Sequence, residues 1–168
     1  LTQGVTRQAE IQRQLLPAML GWFAEGPNPD HGLLAFRQVS EALGRTSWYL
    51  RALRDEGAMA ENLARILASS RYAVDLLMRA PQSVQLLAER ELIRPRPAAD
   101  IAREMAASAS RHVERDQAIA AIRAVRREEL LRLAMGDLLG EIDVDALGVG
   151  LADVMSATVD ASLEVVSR

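Results

Sequence analysis

The sequence contains no cysteine and no lysine, so all twenty of its basic residues are arginine. Without cysteine the chain can form no disulfide, thiolate nucleophile or cysteine metal site, which suits the cytoplasm. Without lysine it can form neither a Schiff base nor the phosphate contact of a P-loop. The net charge of −3 gives no case for nucleic acid or an anionic membrane as a partner.

Long apolar runs and strand patterns are also missing. No uninterrupted apolar run approaches the ~20 residues of a membrane-spanning helix, and no secretory signal opens the chain. No stretch alternates apolar and polar residues with β-branched enrichment, the pattern typical of a strand. The 168 residues suffice for one domain or two small packed subdomains. Because the chain begins with Leu1 and not Met, we expect a piece of a longer protein.

What the sequence does contain is helical periodicity from end to end, which predicts an all-α fold, a multi-helix bundle of about eight or nine helices. Asp30, Ser70 and Asp143 are predicted N-caps, and Pro17 is predicted to kink the first helix. Ser47 is expected to begin a short helix that ends near Gly57. The predicted helices cover residues 6–25, 30–43, 47–57, 70–80, 81–89, 98–111, 115–139 and 144–167. One further helix follows residue 57 and ends at about residue 68.

The clearest break is RPRP, Arg94 to Pro97, because a proline disfavours helix at the residue before it. It predicts two packed helical subdomains, 1–93 and 98–168. The second is expected to end in a long antiparallel hairpin of helices 115–139 and 144–167, joined by the short connection GEID.

In the last predicted helix, small residues are expected to permit close backbone approach, namely Gly148, Gly150, Ala152 and Ala157. Three acidic residues, Asp153, Asp160 and Glu164, fall on a separate line along the same helix. We therefore expect the hairpin to pack through the small and apolar residues.

Two features could suggest catalysis, and neither predicts an active site. In IDVD, Asp143 and Asp145 could hold Mg²⁺ if they lay on a strand, but a helix start explains both better, as N-cap and first-turn residue. His31 and His112 lie far apart in the sequence without metal-ligand spacing, so we expect surface residues. The sequence therefore predicts no catalytic, cofactor-binding or metal-ligating residue in this chain.

The stretch from Phe36 to Gly57 has the spacing of a helix-turn-helix, with Arg51 and Arg54 able to reach phosphate. Asp55 and Glu56 follow directly, and the set Trp48, Leu50 and Leu53 is predicted to form core contacts. A DNA-binding helix pair is the less favoured interpretation.

The stretch RREELLRLAMGDLLG, Arg126 to Gly140, begins with four consecutive charges. Apolar residues before it share one helix face, and those after it share another: Ile119, Ile122 and Val125, then Leu131, Ala134, Met135 and Leu138. Glu128 and Glu129 can each pair with Arg132. Two interpretations stay open, a solvated turn or a helix whose two halves are buried on different faces.

The same stretch resembles a helical motif of the glutamine-synthetase adenylyltransferase/deadenylylase enzymes through Arg127, Leu131, Leu133, Ala134, Asp137 and Leu138. Segment 151–166 resembles the helix that follows it in that family. Three segments, GLLAFRQVSEAL, the stretch 53–81 and SVQLLA, resemble the region joining the two catalytic halves. Gly136 stands where a longer residue is more usual. The resemblance covers nearly the whole chain in consistent order.

The resemblance implies a parent enzyme that uses ATP and Mg²⁺ to attach AMP to glutamine synthetase and a homologous domain that removes it. This chain would be the linker and regulatory region, 1–93, and the helices 98–168 that lead into a nucleotidyltransferase core. Its partners would be the flanking nucleotidyltransferase domains and glutamine synthetase, with the PII signalling protein as an input in the family. The alternatives are a free-standing all-α interaction module and the DNA-binding helix pair.

Overall fold

In a computed structural model, the protein is described over residues 2–43, 46–55 and 57–167. Within those ranges every regular element is a helix, which confirms the all-α prediction. The described residues form eight α-helices: α1 (Thr2–Glu25), α2 (Pro29–Leu43), α3 (Ser47–Asp55), α4 (Gly57–Ser69), α5 (Arg71–Arg79), α6 (Ala98–Ser110), α7 (Arg115–Leu138) and α8 (Val144–Ser167). Two 3₁₀ helices, Pro81–Leu87 and Arg90–Ile93, stand between α5 and α6.

The chain divides into two compact units, 1–92 and 93–168. Helix α4 lies at the centre of the first unit and contacts α1, α2, α3 and α5. Seven of its thirteen residues are buried, all of them apolar. A helix that is apolar around most of its circumference must be enclosed by neighbours, and four neighbouring helices supply that enclosure.

Close backbone approach fixes the first turns of this unit. A Cβ atom on Gly32 would lie 2.8 Å from Cδ1 of Phe23, and one on Gly26 would lie 2.6 Å from Cβ of Ala68. Phe23 and Phe36 pack with ring centroids 6.2 Å apart in a tilted arrangement. Glycine is therefore required where α1 and α2 meet the end of α4.

Two local predictions are corrected in this unit. Asp30 lies inside the first turn of α2, because that helix begins at Pro29. Proline is tolerated there since the first helical N–H has no intrahelical partner. Helix α1 includes Pro17, and the kink at that residue stays a prediction. The segment after Pro81 forms a 3₁₀ helix.

The second unit is built from α6, α7 and α8, each of which contacts the other two. Its core joins residues of all three helices: Ile101, Met105, Ala109, Ala118, Ile122, Val125, Leu133, Val154, Ala157, Ala161 and Val165. The polypeptide reverses after α7 at Gly140, whose φ of 71° is left-handed. Glu141 N donates to Gly136 O at 2.8 Å and Gly140 N to Asp137 O at 3.0 Å. These two bonds make the helix end a Schellman motif.

The antiparallel packing of α7 and α8 depends on only part of the predicted set of small residues. Gly150 is buried, and a Cβ atom there would lie 2.7 Å from Cδ2 of Leu133. Ala157 is also buried in the core. Gly148 faces open space and Ala152 is exposed, so the prediction that all four small residues serve close packing is wrong for these two.

Helix α8 also bears on the expectation that no apolar run in the chain is long enough to span a membrane. Its 24 residues are long and apolar enough to cross a membrane by length and composition alone, although charged residues interrupt every long apolar run. Length and composition are weak evidence, because core helices of soluble proteins pass the same test. In this fold Val154, Ala161 and Val165 of α8 pack in the core with α6 and α7.

Candidate functional site

The charged turn of α7 lies largely inside the fold. Glu129 is 2% exposed and Arg132 is 8% exposed, while Arg126, Arg127 and Glu128 are half-buried. Charged side chains are rarely buried to this degree unless they are paired. The interpretation of this stretch as a solvated turn is therefore wrong.

Glu129 accepts hydrogen bonds from two arginines. Arg132 Nε donates to Glu129 Oε2 at 3.2 Å, which confirms one of the two ion pairs predicted within the helix. Arg96 Nη1 donates to Glu129 Oε1 at 2.8 Å and to Glu104 Oε2 at 2.5 Å. We call Arg96, Glu104, Glu129 and Arg132 the charge cluster. It ties the segment before α6 to both α6 and α7.

Electrostatics around the charge cluster shift two pKa values. Burial lowers the pKa of Arg96, but hydrogen bonds and charge from Glu104 and Glu129 outweigh burial and leave that pKa raised. Burial raises the pKa of the neighbouring carboxyl of Glu128, and the charge on Glu104 adds to the increase. The Arg132 charge opposes that increase without cancelling it. Arg96 therefore stays charged, whereas Glu128 carries its charge at a cost to the folded state.

Gly136 provides a second contact between α7 and the segment before α6. A Cβ atom on Gly136 would lie 2.6 Å from the carbonyl oxygen of Ile93 and 3.3 Å from Cδ1 of Ile142. Backbone cannot easily move aside, so a longer residue is excluded unless this segment shifts. The close approach explains why glycine stands at this position of the motif.

The predicted exchange of buried faces along α7 is only partly correct. Leu133 belongs to the same core as Ala118, Ile122 and Val125, so the first face continues past the charged turn. Leu131 and Met135 are also fully buried, on the opposite side of the helix. The second half of α7 thus gains a buried face in addition to the first one.

The charge cluster can hold α6, α7 and the segment before α6 in position. Its carboxylates and guanidinium groups neutralise one another within the fold, an arrangement that fixes geometry. Among the described residues, no group of three His, Asp or Glu side chains could hold a metal ion.

The two features weighed as catalytic candidates take no part in the charge cluster. Asp143 Oδ1 accepts a hydrogen bond from Ala146 N at 2.8 Å, which confirms its role as N-cap of α8, and Asp145 lies in the first turn. His31 and His112 are in different units and are half-buried, so the expectation of plain surface residues is too simple. The Nε2 atom of His31 is buried and has no hydrogen-bond partner among the described residues.

The stretch resembling a helix-turn-helix contains a core residue that sequence reasoning missed. Tyr49 is fully buried and shares a hydrogen bond of 3.1 Å with Ser40, and Leu53 is also fully buried. Burial raises the pKa of Tyr49 to about 12, with the Ser40 bond opposing the shift. Arg51 is exposed, whereas Gly44, Glu56 and the side chains of Leu50, Arg54 and Asp55 lie outside what is described. DNA binding stays an untested interpretation.

Comparison with known proteins gives the chain a family. The model of the glutamate-ammonia ligase adenylyltransferase family matches residues 60–168, which include the charge cluster and all of α6, α7 and α8. The chain belongs to the glutamate-ammonia ligase adenylyltransferase family. The predicted resemblance is thereby confirmed.

Relatives in this family carry the name bifunctional glutamine synthetase adenylyltransferase/adenylyl-removing enzyme. The chain is 55% identical to the Cutibacterium acnes protein and 50% identical to the Streptomyces coelicolor protein, with 100% of the chain covered in both cases. It is 44% identical to the Mycobacterium tuberculosis protein over 96% of the chain. These alignments span 17%, 18% and 17% of the relatives, so the chain corresponds to a small segment of each. No solved structure matches the chain.

Within this family member, the residues that carried the resemblance occupy several environments. Leu131 and Leu133 are buried, Arg127, Ala134 and Leu138 are half-buried, and Asp137 is exposed. Arg96, which completes the charge cluster, precedes Glu129 by 33 residues. Helical periodicity could not connect them, because it reports only contacts within one helix.

Proposed function

We propose that this chain is a non-catalytic helical linker and regulatory segment of a bifunctional enzyme that adenylylates and deadenylylates glutamine synthetase. The observation that carries the proposal is the alignment of the entire chain, at 55% identity, with only 17% of a relative bearing that name. Such a segment lies between or beside other domains of a much longer polypeptide. Its contribution is then to hold those domains, a task for which a rigid helical unit is suited.

The charge cluster supports a mechanical role. Glu129 joins Arg132 on its own helix to Arg96 in the segment that enters α6, and Arg96 in turn pairs with Glu104. Removing one partner would leave charge buried without compensation, so the arrangement resists bending of that segment. In the parent enzyme, ATP and Mg²⁺ would act in the flanking nucleotidyltransferase domains and not in this chain. Glutamine synthetase and a PII-type protein are the proposed partners, and the cytoplasm the proposed location.

The test is transfer of AMP from labelled ATP with Mg²⁺ to purified glutamine synthetase. We expect no transfer by the 168-residue chain and measurable transfer by the full-length enzyme. AMP transfer by the short chain alone would contradict the proposal. Absence of transfer and of AMP removal in the full-length protein would contradict the proposed parent activity.

A matched pair of full-length variants tests the linking role. Glu129→Gln weakens the charge cluster, whereas Glu61→Gln removes an exposed ion pair with Arg65 on α4. We expect Glu129→Gln to change the ratio of AMP attachment to AMP removal and Glu61→Gln to leave it unchanged. Equal ratios in both variants would count against a linking role for the charge cluster.

A further inference from the structure

Helix α8 carries an apolar face that the described residues leave partly exposed. Leu151, Met155, Val159 and Leu163 follow one another at intervals of four residues, which places them in a row along the helix. The exposed fractions of these four side chains are 38%, 48%, 51% and 63%, in that order. Val166 extends the row and is 55% exposed. We call these five residues the apolar face.

The apolar face is bordered by charge of one sign. Asp153, Asp160 and Glu164 form an acidic row along α8, between the apolar face and the residues that face the core. The helix from Val144 to Ser167 contains no basic residue. Exposed apolar rows of this size on a soluble protein mark an interaction site, and here the acidic border restricts which partner fits.

We propose that the apolar face of α8 docks against another domain of the same long polypeptide, on an apolar surface bordered by arginine or lysine side chains. This inference rests on the proposed function, which makes the chain a segment of a larger enzyme. All of the chain aligns with 17% of the Cutibacterium acnes relative, so more than four-fifths of such a polypeptide is available to provide the surface. Burial of the row removes apolar area from water, and basic side chains meet the acidic row.

Two other occupants fit the charges less well. An anionic bilayer would repel the row formed by Asp153, Asp160 and Glu164, and these carboxylates are costly in hydrocarbon. A second copy of the chain offers no cation on its own α8 to meet the acidic row. A domain with a basic border satisfies both the apolar face and the acidic row.

Met155 offers a direct test, because methionine is oxidised at a rate that follows its exposure. Its side chain is 48% exposed, whereas Met19, Met59, Met105 and Met135 are at most 1% exposed. Dilute hydrogen peroxide followed by peptide mass spectrometry gives the oxidation rate of each methionine. We expect Met155 to be oxidised about tenfold more slowly in the full-length enzyme than in the 168-residue chain, with the buried methionines slow in both.

Two variants of the full-length enzyme separate docking from a general effect on folding. Val159→Asp places a charge in the apolar face and should return the Met155 oxidation rate to that of the short chain. Leu34→Asp changes a side chain of similar exposure, 53%, on α2 and should leave Met155 protected. Asp160→Arg reverses part of the acidic row and should give partial loss of protection. Circular dichroism of the same variants in the short chain should show unchanged helix content.

Equal Met155 oxidation rates in the short chain and the full-length enzyme would overturn the proposal. So would light scattering that shows the short chain as a dimer with Met155 already protected, which would assign the face to a second copy. Flotation of the short chain with vesicles of phosphatidylcholine and phosphatidylglycerol would overturn it in favour of a membrane. Protection of Met155 in a full-length protein that neither attaches nor removes AMP would contradict the proposed function and leave the docking intact.

Discussion

Helices α4 and α7 both lie within the core of their own unit, but they bury different kinds of side chain. The buried residues of α4 are all apolar, and its two charged side chains form an ion pair, Arg65 to Glu61 at 3.1 Å, that stays largely exposed. Helix α7 buries Glu129 and Arg132 beside leucine, isoleucine and valine. The buried residues of α4 exclude water by apolar packing. The buried charges of α7 also fix the position of α7 relative to α6 and to the segment before α6, which pair with those charges.

The largest effect on the free energy of unfolding should come from a substitution in the apolar core around α4. Leu63 on α4 is fully buried, so Leu63→Ala should lower the free energy of unfolding by about 2–5 kcal/mol through lost burial and a cavity. Leu163→Ala makes the same chemical change on α8 at a side chain that is 63% exposed, and should stay within about 0.5 kcal/mol. Urea unfolding followed by circular dichroism measures both. Similar losses for the two variants would erase the contrast between a covered and an uncovered leucine.

The second effect concerns charge. Glu129→Gln removes the negative charge between Arg96 and Arg132. We expect the free energy of unfolding to fall by about 3 kcal/mol, because the buried Arg132 loses its pair with Glu129 while Arg96 keeps its pair with Glu104. Glu61→Gln on α4 should cost less than about 0.5 kcal/mol, since exposed pairs contribute little. Unfolding in urea, which leaves ionic strength unchanged, is the measurement. A neutral result for Glu129→Gln would mean that the charge cluster adds no stability over a polar contact.

The smallest effect is a gain in stability when Glu128 is replaced. Its pKa is raised above the ordinary value of 4.5, so the folded state holds the proton more tightly than the unfolded state. The contribution of Glu128 to the stability of the fold is therefore fully present below pH 4.5, and it is lost as the pH rises through the raised pKa. Glu128→Gln should raise the midpoint of thermal unfolding by roughly 1–3 °C at pH 7, with no gain at pH 4.

Calorimetry at the two pH values checks this sign. Leu163→Ala serves as the control, because this side chain does not titrate, and it should give the same small change at both pH values. A gain from Glu128→Gln that is equal at pH 4 and pH 7 would point to a cause other than titration of this carboxyl.

The parts of the fold that sequence predicted are those with local causes. Ser70 accepts a hydrogen bond from Ala73 N, and Asp143 accepts one from Ala146 N, as the spacing of cap and helix predicted. The break at RPRP and the hairpin turn at Gly140 are likewise local. The assignment of functions to 1–93 and 98–168 stays a prediction, even though the chain divides into units at 92 and 93.

What the sequence did not reveal depends on contacts between distant residues. The pairing of Arg96 with Glu129 and the exclusion of any Cβ atom at Gly136 by Ile93 both join α7 to a segment more than thirty residues earlier. Periodicity described α8 as apolar but could not say that only one part of its circumference would meet α6 and α7. The buried hydroxyl pair of Tyr49 and Ser40 was hidden for the same reason.

The prolines on both sides of Arg96 restrict the conformations of the unfolded chain. Pro95 and Pro97 each hold φ near one value, and Pro97 has a φ of −56° and a ψ of 135° in the fold. The segment therefore samples few conformations before it folds, and little backbone entropy is lost when Arg96 reaches Glu104 and Glu129. A rigid lead-in of this kind lets a single side chain pair with both α6 and α7 at little entropic cost, in addition to the core that these helices share.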